Sequence, residues 1–414
     1  MLEVFNTLTG KIEPFKPRED KKVKMYTCGP SIYRQPHIGN YRTLLFEDML
    51  QRYLEYLGYY VTRLITFTDV EDKAITEAEN EKVSLEELTQ RNADIFFADA
   101  ELLRIEPATY NPRSSTTVDQ AVKIIKILLE KGYAYWYKHQ GVSNVYFEPL
   151  KFQGFGKLSK IDTSKWPKKK RRFHKDNYPG TPWNKGDFIL WRGYKEGDQV
   201  YWDTEIGRGA PAWNIQDAAM VTKHLGSTID VACGGIDNLV RHHDYNIAIM
   251  EAVSGKEFSN YWLHGAHLYV DGKKMSKSIG NVYYPNDLIK MGYRKEHLRF
   301  FLIYGNYRKR LNFTFEKFKK TSQKLDTLKN MVNNLQKTKT TESNNETEKL
   351  VEEIISSFEK NMNNDLNVKD SFDQLFQIIS KLNTQREQNK LSLKDARTAE
   401  TNLQKIDRVL QIIF

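Results

Sequence analysis

The chain has 414 residues, of which 40% are hydrophobic, and its 63 Lys and Arg against 53 Asp and Glu give a formal net charge of +10. At roughly 150 residues per domain, this length makes room for two or three domains with ordinary cores. No stretch approaches the ~18 consecutive apolar residues of a membrane span and residues 1–15 lack the charged-then-apolar pattern of a signal peptide, so a cytoplasmic protein with no membrane partner is expected. Two cysteines, Cys28 and Cys233, cannot build a disulfide framework, and the absence of a Cys-x-x-Cys pair argues against a zinc knuckle. The surplus of positive charge includes the unbroken run Lys168 to Arg172 and is compatible with a nucleic-acid partner, as well as with an ordinary solvated loop.

In chain order, Val23 to Thr27 reads as a short strand, broken by Cys28-Gly29-Pro30. Leu44, Leu45, Met49, Tyr53, Leu54 and Leu57 then recur at helical spacing up to Gly58, and Tyr59 to Thr68 is β-branched and aromatic. This is the opening βαβ unit of a parallel sheet. Ser84 to Lys131 carries a helical pattern, and Tyr133 to about Tyr201 is aromatic, basic and punctuated by Gly and Pro, an insertion with strands at Val142–Phe147 and Phe188–Trp191. The parallel-sheet pattern resumes with a strand at Ser227–Ala232, a helix through Ile247–Val253 and a strand around Tyr261–His267. Past Leu311 the chain turns helical, with Phe318, Leu325, Leu328, Val332 and Leu335 on one face and Leu403, Ile406, Leu410 and Ile413 on another. The polar segment 337–345 between them reads as a flexible loop. The expected divisions are 1–83 and 206–310 for two halves of a doubly wound α/β domain, 84–205 for the insertion and its connections, and 311–414 for a helical domain.

Two segments carry chemistry. Pro36-His37-Ile38-Gly39-Asn40 falls where the first strand turns into the first long helix. Backbone N–H groups and the positive helix end there suit a polyphosphate, Gly39 admits a close approach, and His37 can donate to charge on an α-phosphate. On its own the pattern also describes a histidine and a helix-start glycine used for packing. Gly272-Lys273-Lys274-Met275-Ser276-Lys277-Ser278-Ile279-Gly280-Asn281 follows the last core strand. Its end glycines predict a mobile loop from which Lys274 and Lys277 reach phosphate oxygens, the alternative being a solvated basic loop.

Taken together, His-Ile-Gly and Lys-Met-Ser-Lys-Ser resemble the double signature of class I aminoacyl-tRNA synthetases. Residues Met25 to Tyr33, Thr68 to Lys73, Gly207 to Trp213 and Cys233 to Asp237, with His242-His243, resemble the cysteinyl-tRNA synthetases in particular. The resemblance runs from about residue 3 to residue 382. It implies a Rossmann-type parallel sheet with an inserted subdomain and a C-terminal α-helical domain. It also implies a ligase that converts ATP, with Mg²⁺, and cysteine or a related amino acid to an aminoacyl-adenylate and then charges tRNA. On that resemblance His37, Lys274 and Lys277 are the catalytic residues, and Gly39, Asn40 and Asp237 join them in binding ATP. Cys28, Thr68 and Trp213 form the amino-acid pocket.

The sequence departs from this family in three respects. Asn40 replaces a second histidine, keeping a donor without a titratable proton. The family's Zn²⁺ site of two Cys, one His and one Glu maps onto Cys28, Asp217, His242 and Asn246, so a Cys28/Asp217/His242 zinc site is expected beside the alternative of a metal-free pocket. The helical domain runs to Phe414 without the expected anticodon-reading module, as in paralogues that use a small amine as acceptor. A non-catalytic relative is the remaining alternative. Lastly, Trp166, Phe173 and Tyr178 flank the basic run and are expected to offer stacking rings to an acceptor end.

Overall fold

The computed structural model describes residues 1–166, 169, 172 and 186–414, with backbone alone at Lys277. A hairpin of β1 (Glu3–Asn6) and β2 (Lys11–Pro14) precedes β3 (Lys22–Thr27), α1 (Ile38–Tyr56) and β4 (Tyr60–Ile65), the βαβ unit read from the apolar periodicity. Next come α2 (Asp72–Glu81), α3 (Leu85–Leu102) and α4 (Val118–Glu130). The single helical stretch expected from Ser84 to Lys131 is therefore broken. Pro107 and Pro112 cannot sit within a helix, and the segment instead bridges the end of β4, with Leu64 beside Tyr110 and Phe67 beside Arg113.

The insertion is an antiparallel sheet of β5 (Ala134–His139), β6 (Val142–Phe147), β7 (Phe188–Gly193), β8 (Trp202–Thr204) and β9 (Gly207–Pro211), in the order β5-β6-β7-β9-β8. It extends past the boundary expected at 205, because Gly209, Ala210 and Pro211 pair with Gly193, Arg192 and Trp191. After it come α5 (Trp213–Leu225), β10 (Ile229–Gly235), α6 (Asp244–Ser254) and β11 (Ser259–Gly265). A small sheet follows, with β12 (Leu268–Val270), β13 (Lys273–Lys274), α7 (Pro285–Lys290), α8 (Lys295–Ile303) and β14 (Leu311–Phe313) in chain order. Four helices, α9 (Phe315–Leu335), α10 (Asn345–Met362), α11 (Val368–Glu387) and α12 (Leu393–Leu410), complete the chain.

The central sheet is parallel and ordered β11-β10-β3-β4. From β3 the chain crosses by α1 to β4, and from β10 it crosses by α6 to β11, moving outward in opposite directions. The switch point therefore lies between β3 and β10, where the Cys28 N–H donates to the Cys233 carbonyl at 3.0 Å, and a crevice opens beyond their C-terminal ends. Apolar residues on both sides of the sheet form two cores. One joins α1 to the helical domain through residues such as Leu45, Leu50, Phe300, Phe372 and Leu403; the other joins α4, α5 and α6 to the inserted sheet.

Two readings of the helical region change. Ile413 is buried, but it lies beyond the left-handed cap at Gln411, so it packs from the tail after α12 and not from its face. The segment at 337–345 is tied down: Thr338 is buried, Thr340 bridges Ser392, and Asn344 caps α10. No described helix is long and apolar enough to cross a membrane.

Candidate active site

A cleft of about 430 Å³ opens at the switch point, lined from one end to the other by the two signature segments, the Cys28–Gln35 turn and the start of the β10–α6 connection. At one end, His37 is the N-cap of α1 in extended backbone, φ −97° and ψ 172°. Its Nδ1 accepts the N–H groups of Gly39 at 3.1 Å and Asn40 at 3.3 Å, while the Asn40 side-chain oxygen accepts the His37 N–H at 3.0 Å. This reciprocal cap leaves the neutral imidazole proton on Nε2. Burial pushes the His37 ring below its ordinary value, and Lys274 adds to that against an opposing pull from Asp237. His37 is thus held as a neutral N–H donor at the positive end of a helix, and Asn40 serves the cap as well as lining the cleft.

The downstream segment approaches from the opposite side. Asp271 and Gly272 both have positive φ, 48° and 75°, forming the tight two-residue turn that joins β12 to β13 and brings Lys274 to the cleft wall. The expectation of a loop made mobile by its glycines gives way here to a pinned hairpin. Asn281 accepts the Ser276 N–H at 2.8 Å and donates to the Lys274 carbonyl at 3.3 Å, and Met275 reaches across to Gly39. Lys277 opens a short 3-10 turn, Lys277–Ile279; its side chain lies outside the described residues.

At the other end, three potential ligand atoms converge. Cys28 Sγ lies 3.8 Å from Asp217 Oδ2 and 3.9 Å from His242 Nδ1, and the latter two are 3.3 Å apart. A tetrahedral zinc with thiolate, imidazole and carboxylate ligands spaces those atoms by roughly 3.4–3.6 Å, so the set fits the ion. Asn246 does not join it. Its amide donates to the Tyr26 hydroxyl at 3.4 Å, behind the site, so the fourth family position is not filled by a ligand here. Burial and the Asp217 charge raise the Cys28 thiol, although His242 opposes them. Burial would also raise Asp217, but the hydrogen bond and charge of His242 outweigh it and hold the carboxyl below its usual range.

Of the remaining expected residues, Thr68 and Asp237 line the cleft. Trp213 stands one layer behind, its ring 4.8 Å from the His242 ring. Trp166 is a core residue packed edge-on to Phe155, and so offers no exposed stacking ring, contrary to expectation. Lys168, Lys170, Arg171, Phe173 and Tyr178 lie outside the described residues, while Arg172 sits 4.0 Å over the Tyr137 ring. Sequence reasoning missed Asn238, whose amide donates to Cys28 Sγ at 2.7 Å, and His267, a cleft residue also pushed down by burial. Both lie within or beside segments already singled out, but nothing in their spacing marks them as facing the cleft.

Residues 14–323 match the family model described as the class I (C) tRNA synthetase catalytic domain. The chain belongs to the cysteine-type class I tRNA synthetases. It is 38% identical to a cysteine–tRNA ligase of Brachyspira hyodysenteriae, over 99% of this chain and 85% of that protein. It is 34% identical to the cysteine–tRNA ligase of Protochlamydia amoebophila, over 100% of this chain and 86% of that one. The fold is shared with solved class I synthetases. A Mycobacterium tuberculosis methionyl-tRNA synthetase in complex with methionyl-adenylate superposes with a TM-score of 0.68 at 14% identity, covering 95% of this chain and 90% of that one. A LeuRS–tRNA–LeuAMS ternary complex from Agrobacterium radiobacter gives 0.70 at 10% identity, covering 97% and 85%.

Proposed function

We propose that the chain is a cysteine–tRNA ligase. Cysteine attacks the α-phosphorus of ATP through its carboxylate, giving cysteinyl-adenylate and releasing pyrophosphate, and the cysteinyl group then passes to a tRNA 3′-terminal hydroxyl. The observation that carries this reading is the convergence of the His37 cap, the Lys274 hairpin and the Cys28/Asp217/His242 cluster in one cleft of about 430 Å³ at the switch point. Relatives that match along the whole chain are cysteine–tRNA ligases, so the small-amine acceptor and the non-catalytic alternative are not favoured. A cytoplasmic place of action belongs to the same reading.

In this scheme the positive end of the α1 dipole and the neutral His37 Nε2–H meet the phosphates, which are accompanied by Mg²⁺. Lys274 and Lys277 neutralise the negative charge that builds up on the pentavalent transition state. Gly39 lets the nucleotide lie against the backbone, and Asp237 shapes the ribose side. Cys28, Thr68 and Trp213 form or support the amino-acid end. Zn²⁺ held by Cys28, Asp217 and His242 would supply a Lewis acid that distinguishes a thiol from a hydroxyl. Asn238, donating to Cys28 Sγ, keeps that sulfur turned toward its neighbours. The test is ATP–pyrophosphate exchange across all amino acids: cysteine is expected to support it, and failure with every amino acid would refute the reading.

A further inference from the structure

A second cavity, of about 280 Å³, opens between the C-terminal half of α3, the end of β4 and the chain that follows α3. It shares no lining residue with the catalytic cleft, and its volume is close to the lower bound, roughly 300 Å³, of pockets that take small organic molecules. Ile65, Phe96, Phe97, Ala100, Ile105 and Pro107 give it apolar walls. Phe96 and Phe97 belong to an aromatic cluster with Phe67, whose ring centroids lie 5.0 Å from Phe96 and 5.5 Å from Phe97. Phe97 is nevertheless 46% exposed, so one ring of that cluster is left without a partner on its outer side. An aromatic ligand entering the cavity would continue the same edge-to-face packing.

The charge of the ligand follows from the four charged side chains that line the cavity, Arg52, Glu101, Arg104 and Glu106. Arg52 pairs with Asp48 at 3.1 Å and with Glu106 at 2.8 Å, and donates to the Arg104 carbonyl at 2.9 Å. Arg104 pairs with Glu296 at 3.1 Å and donates to the Phe414 carbonyl at 2.8 Å. Both guanidinium groups are thus engaged, and Glu106 with them, whereas Glu101 is exposed and makes no ion pair or side-chain hydrogen bond among the described residues. An anion entering here meets no free cation; an ammonium meets the Glu101 carboxylate. Ile65 connects this cavity to the cleft. It is a wall of the cavity, its N–H donates to the Tyr110 carbonyl at 3.0 Å, and its Cγ2 lies 2.9 Å from where a methyl group at Gly29, a cleft residue next to Cys28, would stand. We infer that this cavity is a second binding site, for a small aromatic amine, with the ring against Phe97 and the ammonium at Glu101, and that its occupancy is felt at the cysteine end of the cleft through Ile65 and Gly29. A filled cavity holds Ile65 against Gly29, so the turn that carries Cys28 loses less freedom when cysteine binds.

The test titrates the full chain with 2-phenylethylamine and with 3-phenylpropionate, which has the same ring and spacer but the opposite charge, and reads Kd by calorimetry. The amine should bind roughly tenfold more tightly than the carboxylate, and Glu101→Gln should reduce that preference to within about twofold. Ala100→Phe, which fills the cavity, should remove the binding of both. Saturating cysteine should tighten the amine's Kd about threefold, because coupling between two sites is reciprocal. This last arm rests on the proposed activity; the others do not. Should Ala100→Phe fail to fold, the exposed change Glu101→Gln carries the test. No binding of the amine, equal affinity for the two probes, or a preference that survives Glu101→Gln would overturn the site. Displacement of the amine by cysteine would place it in the cleft and overturn the site as well. An amine Kd unmoved by cysteine, in a chain that supports cysteine-dependent exchange, would overturn the link through Ile65. Absence of exchange with every amino acid, beside intact discrimination between the probes, would overturn the proposed activity and leave the site standing.

Discussion

A methyl group at Gly39 would lie 2.5 Å from Met275 Cε and 3.0 Å from His37 Cε1, so the two signature segments meet at the one position where a side chain is absent. Gly39→Ala is expected to push Met275 and His37 apart and to lower kcat/KM for adenylation about 10- to 100-fold, because small misplacements of catalytic groups are expensive. Thermal unfolding, which reports the fold, should barely change, and an undiminished rate would show that the contact is idle. The zinc cluster gives a second expectation. Elemental analysis of protein purified without chelator should find zinc in the wild type and in Asn246→Ala, but little in Cys28→Ala or Asp217→Ala; equal zinc in all four would refute the three-ligand site. Both signatures were legible because their residues are contiguous in sequence. Asn238 and His267 were not, since each gains its role only where the ends of β10 and β11 are brought to the cleft by the sheet.

Elements read from periodicity fared according to how cleanly their faces alternate. Helix α1 and strands β3, β4 and β6 carry regular apolar spacing and were legible. Strands β8 and β9 were hidden by Gly207, Gly209 and short length, and α2 by a polar sequence, AspLysAlaIleThrGluAlaGluAsnGlu, that buries only Ala74 and Ala78. Between elements, buried His264 of β11 accepts or donates at 2.8 Å to His243 Nδ1, next to α6, and at 2.9 Å to Thr7 Oγ1. Burial pushes His264 down to about 3. A folded-state value below the ordinary 6.5 means that the unfolded chain binds the extra proton, so stability is fully present above pH 6.5 and falls as pH drops from there toward 3. This histidine should contribute a slope of about 1.4 kcal/mol per pH unit within that window. Denaturant unfolding at pH 7, 6 and 5 checks this, and His264→Gln should show a shallower fall than wild type.

At the scale of the molecule, the helical domain is bound to the catalytic core by a buried charge. Arg299 of α8 pairs with Asp48 of α1 at 2.6 Å and donates to the carbonyls of Leu103 at 2.8 Å and Leu410 at 2.8 Å, tying three distant parts of the chain together. Burial alone would raise Asp48, yet Arg299 and Arg52 hold it below the usual carboxylate range. Arg299→Leu leaves the buried Asp48 with Arg52 as its remaining cation and strips two buried carbonyls of their donor, and should cost about 3–5 kcal/mol, read as a lower unfolding midpoint. Adding Asp48→Asn should recover part of the loss, whereas simple additivity would show that the pair is not the cause. The chain as a whole carries 63 Lys and Arg against 53 Asp and Glu, in keeping with an RNA acceptor. The central claim is tested most directly by incubating the purified chain with ATP, Mg²⁺, labelled cysteine and total tRNA, then measuring label bound to tRNA. Cysteine esterified to tRNA, lost on replacing Lys274 by Ala, is the predicted result; cysteine-dependent pyrophosphate exchange without any label on tRNA would contradict it.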